Sequence, residues 1–376
     1  MKILSLDVET TISNKGDPFD STNRCVSVAW HDGISSVCVN VYERCGRELV
    51  KIQEAIDSCD VLLGFNIKFD LHWLRNLGIR FDHRRIFDCQ VAQYTLSRQR
   101  TKYPSLAGCL ELYGLEGKID VVKTEYWDKG IDTHLIPWDV LSEYNIMDVV
   151  QTYKLYLAQQ AVLNPIQKRL VQLCCDDLVT LEEMEYNGVP VDLEGCQKEL
   201  ERLYAQIDQI TTKLASRYPH VPLNFNSPDH VSAFLYGGAV EEVRRELAGF
   251  YKTGNKIGQP RYSIVRQTHQ LLGMFKPIEG SALEKEGLFS TSEPVLRQIK
   301  DKTGTIKLLL EFAALTKLKE FFESFIKINA ERNWRQNEIH GGFNQVSTWT
   351  GRLSSTKPNL QNMPPELQEY VRSTYG

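Results

Sequence analysis

The chain has 376 residues, enough for two or three domains, each with its own core. Its 44 Lys and Arg against 48 Asp and Glu leave a net charge of −4, which excludes a binder working by bulk positive charge. Any nucleic-acid contact has to come from local patches, and acidic clusters have to be sought as metal sites. No apolar run is long enough to cross a bilayer, so no membrane partner is expected. The nine cysteines include no C-x-x-C and read as reduced, mostly buried thiols. Residues 1–6 run into Asp7 without the regions of a secretory leader, which leads to the expectation of a cytoplasmic protein.

Residues 3–8 read as a short buried strand closed by Asp7-Val8-Glu9-Thr10. Residues two apart on a strand face one side, so Asp7 and Glu9 converge. Like charges that close repel unless a cation lies between them, and a hard divalent ion, Mg²⁺ or Mn²⁺, suits oxygen ligands. A solvated strand face is the plainer alternative. Residues 26–30 and 37–41 read as further strands, with Gly33 in the turn between them. Residues 61–63 form a strand leading through Gly64 and Asn66 into a helix with Leu71, Leu74 and Leu77. Asp70 falls near this strand-to-helix junction, a position favoured for functional carboxylates in α/β sheets. An acid in a first helical turn also balances the helix dipole. Asp88 reads as the N-cap of an apolar helix, with a supporting role near a metal as the alternative. Residues 105–113 form an amphipathic helix. In the strongly helical stretch 138–157, Tyr144 and Asp148 stand four apart on one face. A phenol beside a carboxylate is able to hold a water for attack on phosphorus. A core-edge Tyr with a solvated Asp is the structural alternative.

From about residue 166 the pattern changes to long helices, 170–186 stopped by Gly188 and then 193–218. Residues 237–290 are rich in Gly and charge. Around Tyr251-Lys252-Thr253-Gly254-Asn255-Lys256 the basic-aromatic mixture fits either a surface that tracks a DNA backbone or a mobile solvated loop. Ser292-Glu293-Pro294 reads as a helix start. Residues 304–329 form a long helix whose apolar side includes Leu309, Phe322 and Phe325. Lys317, Lys319 and Lys327, with Arg332 and Arg335 beyond, supply positive charge. The stretch Thr348-Trp349-Thr350-Gly351-Arg352-Leu353-Ser354-Ser355, then Pro358-Asn359-Leu360-Gln361-Asn362-Met363-Pro364, sets hydroxyls, one Arg and amides around turn formers. It buries little and offers donors for phosphate oxygens and for the acceptor edges of a minor groove.

Taken together, D-x-E, N-x-x-x-F-D (Asn66 to Asp70) and Y-x-x-x-D, in that order, resemble the DEDD superfamily of 3′→5′ exonucleases in its tyrosine-bearing branch. The resemblance covers about residues 1–160. It implies that Asp7, Glu9, Asp70 and Asp148 hold two divalent ions, Mg²⁺ or Mn²⁺, and that Tyr144 orients the attacking water. The stretch 348–364 resembles the T-x-T-G-R-L-S-S-x-x-P-N-L-Q-N-x-P motif of the family A (polymerase I-like) DNA polymerases, which grips primer-template DNA. Residues 185–192 and 224–228 resemble the opening of that family's polymerase domain. The resemblance implies an α/β, ribonuclease H-like exonuclease domain with a mixed sheet flanked by helices, then a mainly helical thumb region with the first palm strands. The implied divisions are 1–165 for the exonuclease, 166–338 for the polymerase start and thumb with an insertion-like segment at 237–290, and 339–376 for the start of the palm. Implied DNA contacts are Thr350, Arg352, Ser354, Ser355, Asn359 and Gln361 in the motif, with Lys317 and Lys319 on the thumb. The implied partners are duplex DNA and its single-stranded 3′ end.

The palm aspartates and the triphosphate-binding helix of that family are not found within these 376 residues. The layout, with the exonuclease motif beginning at residue 7, resembles phage-type polymerases, and host cytoplasm is then the expected location. The expectation is therefore a proofreading exonuclease and DNA-gripping half of a split polymerase, with a second polypeptide carrying the rest of palm and fingers. A free-standing DEDD nuclease of repair or RNA processing, and a non-catalytic structural half, are the alternatives.

Overall fold

A computed structural model describes residues 1–43, 46–117, 121–254, 256–334 and 337–371. Arg335, Asn255 and the stretch 372–376 lie outside the described residues. The chain divides into two compact units, Met1–Leu193 with Ser324–Gly376, and Glu194–Glu323.

The first unit is built on a five-stranded sheet. Strands β1 (Ile3–Thr10), β2 (Cys25–His31) and β3 (Ser36–Asn40) run antiparallel to one another in sequence order. After helix α1 (Gly46–Ser58), β4 (Val61–Gly64) pairs parallel to β1. After α2 (Lys68–Asn76), β5 (Arg85–Asp88) pairs parallel to β4, giving the order β3-β2-β1-β4-β5. The sequence shows why β4 lies inside the sheet: Val61, Leu62, Leu63 and Gly64 are all buried, an unbroken apolar run of the kind a strand covered on both faces requires. In β1 the residues alternate. Leu4, Leu6 and Val8 enter the core, whereas Asp7 and Glu9 face the other side and are half-buried.

Helices α3 (Cys89–Leu96), α4 (Leu106–Leu112), α5 (Val121–Glu125), α6 (Trp138–Val162) and α7 (Pro165–Asn187) follow. Helix α6 lies against β1, β2 and β3, and α7 against β5, α2 and α3. Asn164 caps α7 reciprocally with Gln167, and Pro165 opens it. Gly188, at φ 63°, ends it with a conformation that disfavours a side chain, and a Cβ there would also meet the His340 ring at 2.7 Å. Short strands β6 (Val189–Pro190), later paired with β9 (Glu338–Ile339), and β10 (Gly342–Asn344), paired with β11 (Ser354–Thr356), complete this unit with the short helix α12 (Pro365–Gln368).

The second unit takes in most of α8 (Leu193–Ala215), then α9 (Pro228–Tyr236), a two-stranded ribbon of β7 (Gly238–Phe250) and β8 (Pro260–Leu271), α10 (Glu293–Leu296) and the first part of α11 (Thr305–Arg332). Its core joins Leu214, Phe225, Phe234, Leu296, Leu309 and Phe312. The ribbon was not legible as strands. Its sequence does not alternate apolar and polar residues, because neither face is buried along most of its length.

Candidate active site

Three carboxylates implied by the sequence converge. Oxygens of Asp7 and Glu9 on β1 and of Asp148 on α6 all lie within 4.8 Å of one another. The position of α6 is set locally. Asn145, fully buried, donates from Nδ2 to Ser27 Oγ at 2.9 Å, and Ser27 stands directly opposite Glu9 in the β1–β2 ladder. The next exposed-to-buried step along α6 then brings Asp148 over the two β1 acids. Tyr144, one turn before Asp148 and half-buried, sets its ring edge-on to Trp127 with centroids 5.6 Å apart. Trp127 is itself anchored by its indole N–H to Thr133 Oγ1 at 3.1 Å.

Asp70 comes from the first turn of α2 and is buried, 3% exposed. It is not among the three oxygens that cluster within 4.8 Å. Its Oδ1 accepts the Val8 N–H at 3.0 Å, beyond Ser5, where β1 has stopped pairing with β4. The carboxylate thus fills the opening where two parallel strands part, at their C-terminal ends. Burial first, and then the charge of Asp7, hold its carboxyl well above the usual range. The same field acts on two thiols behind the acids. Burial, together with Asp70, Glu9 and Asp7, raises Cys25, and burial together with Glu9 and Asp7 raises Cys38 to about 12.

Asp88 is the N-cap that the sequence suggests, accepting from Gln90 N at 2.7 Å and Val91 N at 3.2 Å. It also accepts from Ile67 N at 2.8 Å and Asn66 N at 3.3 Å, so one buried carboxylate fixes the entrances of both α2 and α3. That second role was not visible in sequence because it depends on the register Gly64↔Asp88. Asp88 therefore acts on Asp70 through the backbone, and its charge adds to the burial and the Asp7 charge that raise the Asp70 carboxyl.

A charged seam on the far side of α2 was missed altogether. Lys68 Nζ reaches Glu185 Oε1 at 2.5 Å and the Phe343 carbonyl. His72 stands between Glu185 Oε2 at 2.8 Å and Glu182 Oε1 at 3.1 Å. Arg75 forks onto Glu182 at 2.7 and 3.0 Å. Burial pushes both carboxyls up, but His72 with Arg75 for Glu182, and His72 with Lys68 for Glu185, outweigh it and hold both below the usual range. The sequence signal was the i, i+4, i+7 row of Lys68, His72 and Arg75 facing Glu182 and Glu185 three apart, which nothing in the sequence pairs.

The motif 348–364 forms a turn, the short strand β11 and a loop closed by a single helical turn at Leu360–Asn362. Thr350, Arg352, Asn359 and Gln361 are exposed, and Ser354 is half-buried with its hydroxyl 2.5 Å from Ser347 Oγ. Ser355 is buried; its hydroxyl donates to Pro358 O at 3.3 Å and accepts from Leu360 N at 3.1 Å, shaping the turn from within. In the second unit Lys317 is exposed. Lys319 is half-buried, 3.6 Å from Glu323 and over the Tyr204 ring.

A cluster made only of carboxylate oxygens suits a hard divalent cation, and the mutual repulsion of Asp7, Glu9 and Asp148 is relieved by one. These three, with Asp70 beside Asp7, are the residues able to hold it.

Comparison with known proteins finds relatives for both ends of the chain. Residues 1–164 match the family model of the 3′-5′ exonuclease and residues 266–375 that of DNA polymerase family A. DNA polymerase I of Bacillus subtilis (strain 168) is 28% identical over 288 residues, 75% of this chain and 27% of the relative. The DNA polymerase of Bacillus phage SP01 is 24% identical over 324 residues, 81% of this chain and 34% of the relative. DNA polymerase DpoZ of Acinetobacter phage SH-Ab 15497 is 23% identical over 337 residues, 82% and 48%. The chain thus spans from about a quarter to about half of the length of these relatives. The solved structure titled as the POL domain of Pol1 from M. smegmatis in complex with DNA primer-template and dNTP shares the fold. Its TM-score is 0.66 at 17% identity, over 96% of this chain and 52% of that one. The chain thus joins a segment that matches the 3′-5′ exonuclease family to a later segment that matches DNA polymerase family A.

Proposed function

We propose that residues 1–165 hydrolyse 3′-terminal nucleotides of DNA as a tyrosine-bearing DEDD exonuclease, with a proofreading role beside polymerase elements in 166–338 and 339–376. The observation that carries this reading is the convergence of Asp7, Glu9 and Asp148 within 4.8 Å beside Asp70. When bound, two divalent cations, Mg²⁺ or Mn²⁺, would make water a better nucleophile near neutral pH and offset charge on the departing 3′ oxygen. Asp7, Glu9, Asp70 and Asp148 would hold them. The Tyr144 hydroxyl, one helical turn from Asp148, orients the attacking water and accepts its alignment from the ring contact with Trp127. Asp88 keeps α2, and with it Asp70, in register with β1.

In this reading Thr350, Arg352, Asn359 and Gln361 grip duplex DNA through phosphates and minor-groove acceptors, Ser354 and Ser355 shape that loop, and Lys317 and Lys319 add phosphate contacts. The M. smegmatis neighbour, described with primer-template, supports DNA as the partner. Polymerisation needs palm and fingers residues supplied by further polypeptide, continuous with this chain or separate, as the greater length of the relatives supports. In the separate case, a chain carrying those elements forms a complex with this one and extends a primer; no complex and no extension by the mixture removes the split arrangement.

The nuclease reading is tested with a 3′-labelled oligonucleotide and Mg²⁺. The parent chain releases label and Asp7→Ala releases it at least about a hundredfold more slowly, the size expected when positioned charge is lost from a reacting centre. Equal rates would refute the assignment of Asp7.

A further inference from the structure

The β7–β8 ribbon takes no part in the chemistry above, and its surface is unusual. Along β8, Pro260, Tyr262, Ile264 and Arg266 point to one side; opposite them stand Phe250, Leu247, Arg245 and Val243. The bulge between Leu247 and Gly249 returns Phe250 to this face. Five large apolar side chains on it, Val243, Leu247, Phe250, Tyr262 and Ile264, are each more than half exposed.

The charge is equally uneven. Residues 238–271 hold six Lys and Arg against three Glu, in a chain whose net charge is −4. Arg244 and Arg266 are paired with Glu242 and Glu241 near the base. Arg245, midway along the ribbon, and Lys252, Lys256 and Arg261, at its tip, are exposed and make no ion pair among the described residues. Tyr251 adds a third exposed aromatic at the tip, where Tyr251 and Gln259 close the turn through a 3.0 Å backbone hydrogen bond.

We propose that this ribbon binds single-stranded DNA, with phosphates at Arg245, Lys252, Lys256 and Arg261 and bases stacked on Phe250, Tyr251 and Tyr262. Both features need covering at once. Duplex DNA would match the cations but leave the aromatic faces bare, because its bases are already stacked on one another. An apolar protein surface would cover the aliphatic residues but leave four cations unmatched. A strand with unstacked bases supplies a phosphate row and flat apolar faces together. The choice of DNA rests on the exonuclease reading; the charge and the exposed aromatics do not.

The test is fluorescence anisotropy of the full chain in EDTA with a labelled oligothymidylate and, separately, a blunt duplex. The charge variant R245E/K252E/K256E/R261E should weaken oligothymidylate binding more than tenfold at low salt. It should also reduce the slope of log affinity against log salt by about 3, four phosphate contacts at roughly 0.7 each. F250A/Y262A should weaken the same binding about tenfold while leaving the slope in place. Release of a terminal nucleotide from a trinucleotide with Mg²⁺ should stay at the parent rate in both variants. If the parent lacks nuclease activity but the binding losses appear, the exonuclease reading fails and the ribbon assignment stands. Unchanged affinity and slope in both variants overturn the proposal, a ribbon that serves a protein partner being one way to that result. A loss confined to the duplex, with no effect of F250A/Y262A, overturns it as well.

Discussion

Asp70 links the stability of the fold to the proposed chemistry. It is buried, close to Asp7, and hydrogen-bonded to a backbone amide that the sheet leaves unpaired. A carboxyl whose folded pKa lies above its unfolded value binds more protons in the folded state, so stability falls as pH rises through the interval between the two. In EDTA, Asp70→Asn should therefore melt at a higher temperature than the parent at neutral pH, while nuclease activity is lost; a lower melting point would contradict the burial argument. Divalent cation should likewise stabilise the parent, by offsetting the same repulsion. At tenfold over its dissociation constant Mg²⁺ adds ~1.4 kcal/mol, and differential scanning fluorimetry should show the rise in the parent but not in Asp7→Ala. The pair Asp7 and Glu9 was legible because strand parity alone brings them together. Asp148 needed α6 to cross the sheet at the point set by Asn145 and Ser27, and only the order of motifs along the chain suggested that.

At the level of elements, two junctions hold the site. Asp88 joins the entrances of α2 and α3, and Asp88→Ala should destabilise the chain by about 2–3 kcal/mol, as loss of a cap plus two further buried acceptor bonds, read from the urea midpoint. The seam between α2 and α7 has a pH signature of its own. Glu182 and Glu185 have folded pKa values below their unfolded ones, so their contribution is present above about pH 4.5 and is lost as pH falls through the lower folded values. Glu185→Gln should flatten the acid limb of the stability curve measured by circular dichroism; an unchanged limb would place the acid sensitivity elsewhere. Because Lys68 lies two residues before Asp70 and is held by Glu185 and the Phe343 carbonyl, this seam also ties α2 to β10, the strand that leads into the loop of Arg352. None of this was readable from sequence. Charged rows on two helices look like solvated faces until the fold places them against each other, and helix α1 was passed over for a related reason, its buried Ile52 and Ile56 being diluted by polar residues.

On the scale of the whole molecule, the elements that sequence placed well are those with a buried face. Strands β1, β2 and β4 and the long helices α6, α7 and α11 have one. The ribbon, exposed on both faces, carries no alternation to mark it as strands, and its sequence fits a nucleic-acid surface and a solvated loop alike. The two family models, at 1–164 and 266–375, bracket a middle region that neither covers, and most of the ribbon lies within that middle. In the proposed reading the cluster of Asp7, Glu9 and Asp148 serves a nuclease, and Arg352, Asn359 and Gln361 hold DNA for polymerase elements. The central claim is the direction and the metal dependence of cleavage. A 5′-labelled single strand incubated with the parent chain and Mg²⁺ should give a ladder of labelled products shortening one nucleotide at a time from the 3′ end, absent in EDTA and in Asp148→Ala. Release of the 5′ label as a mononucleotide, or a ladder that persists in EDTA or in Asp148→Ala, would contradict the account.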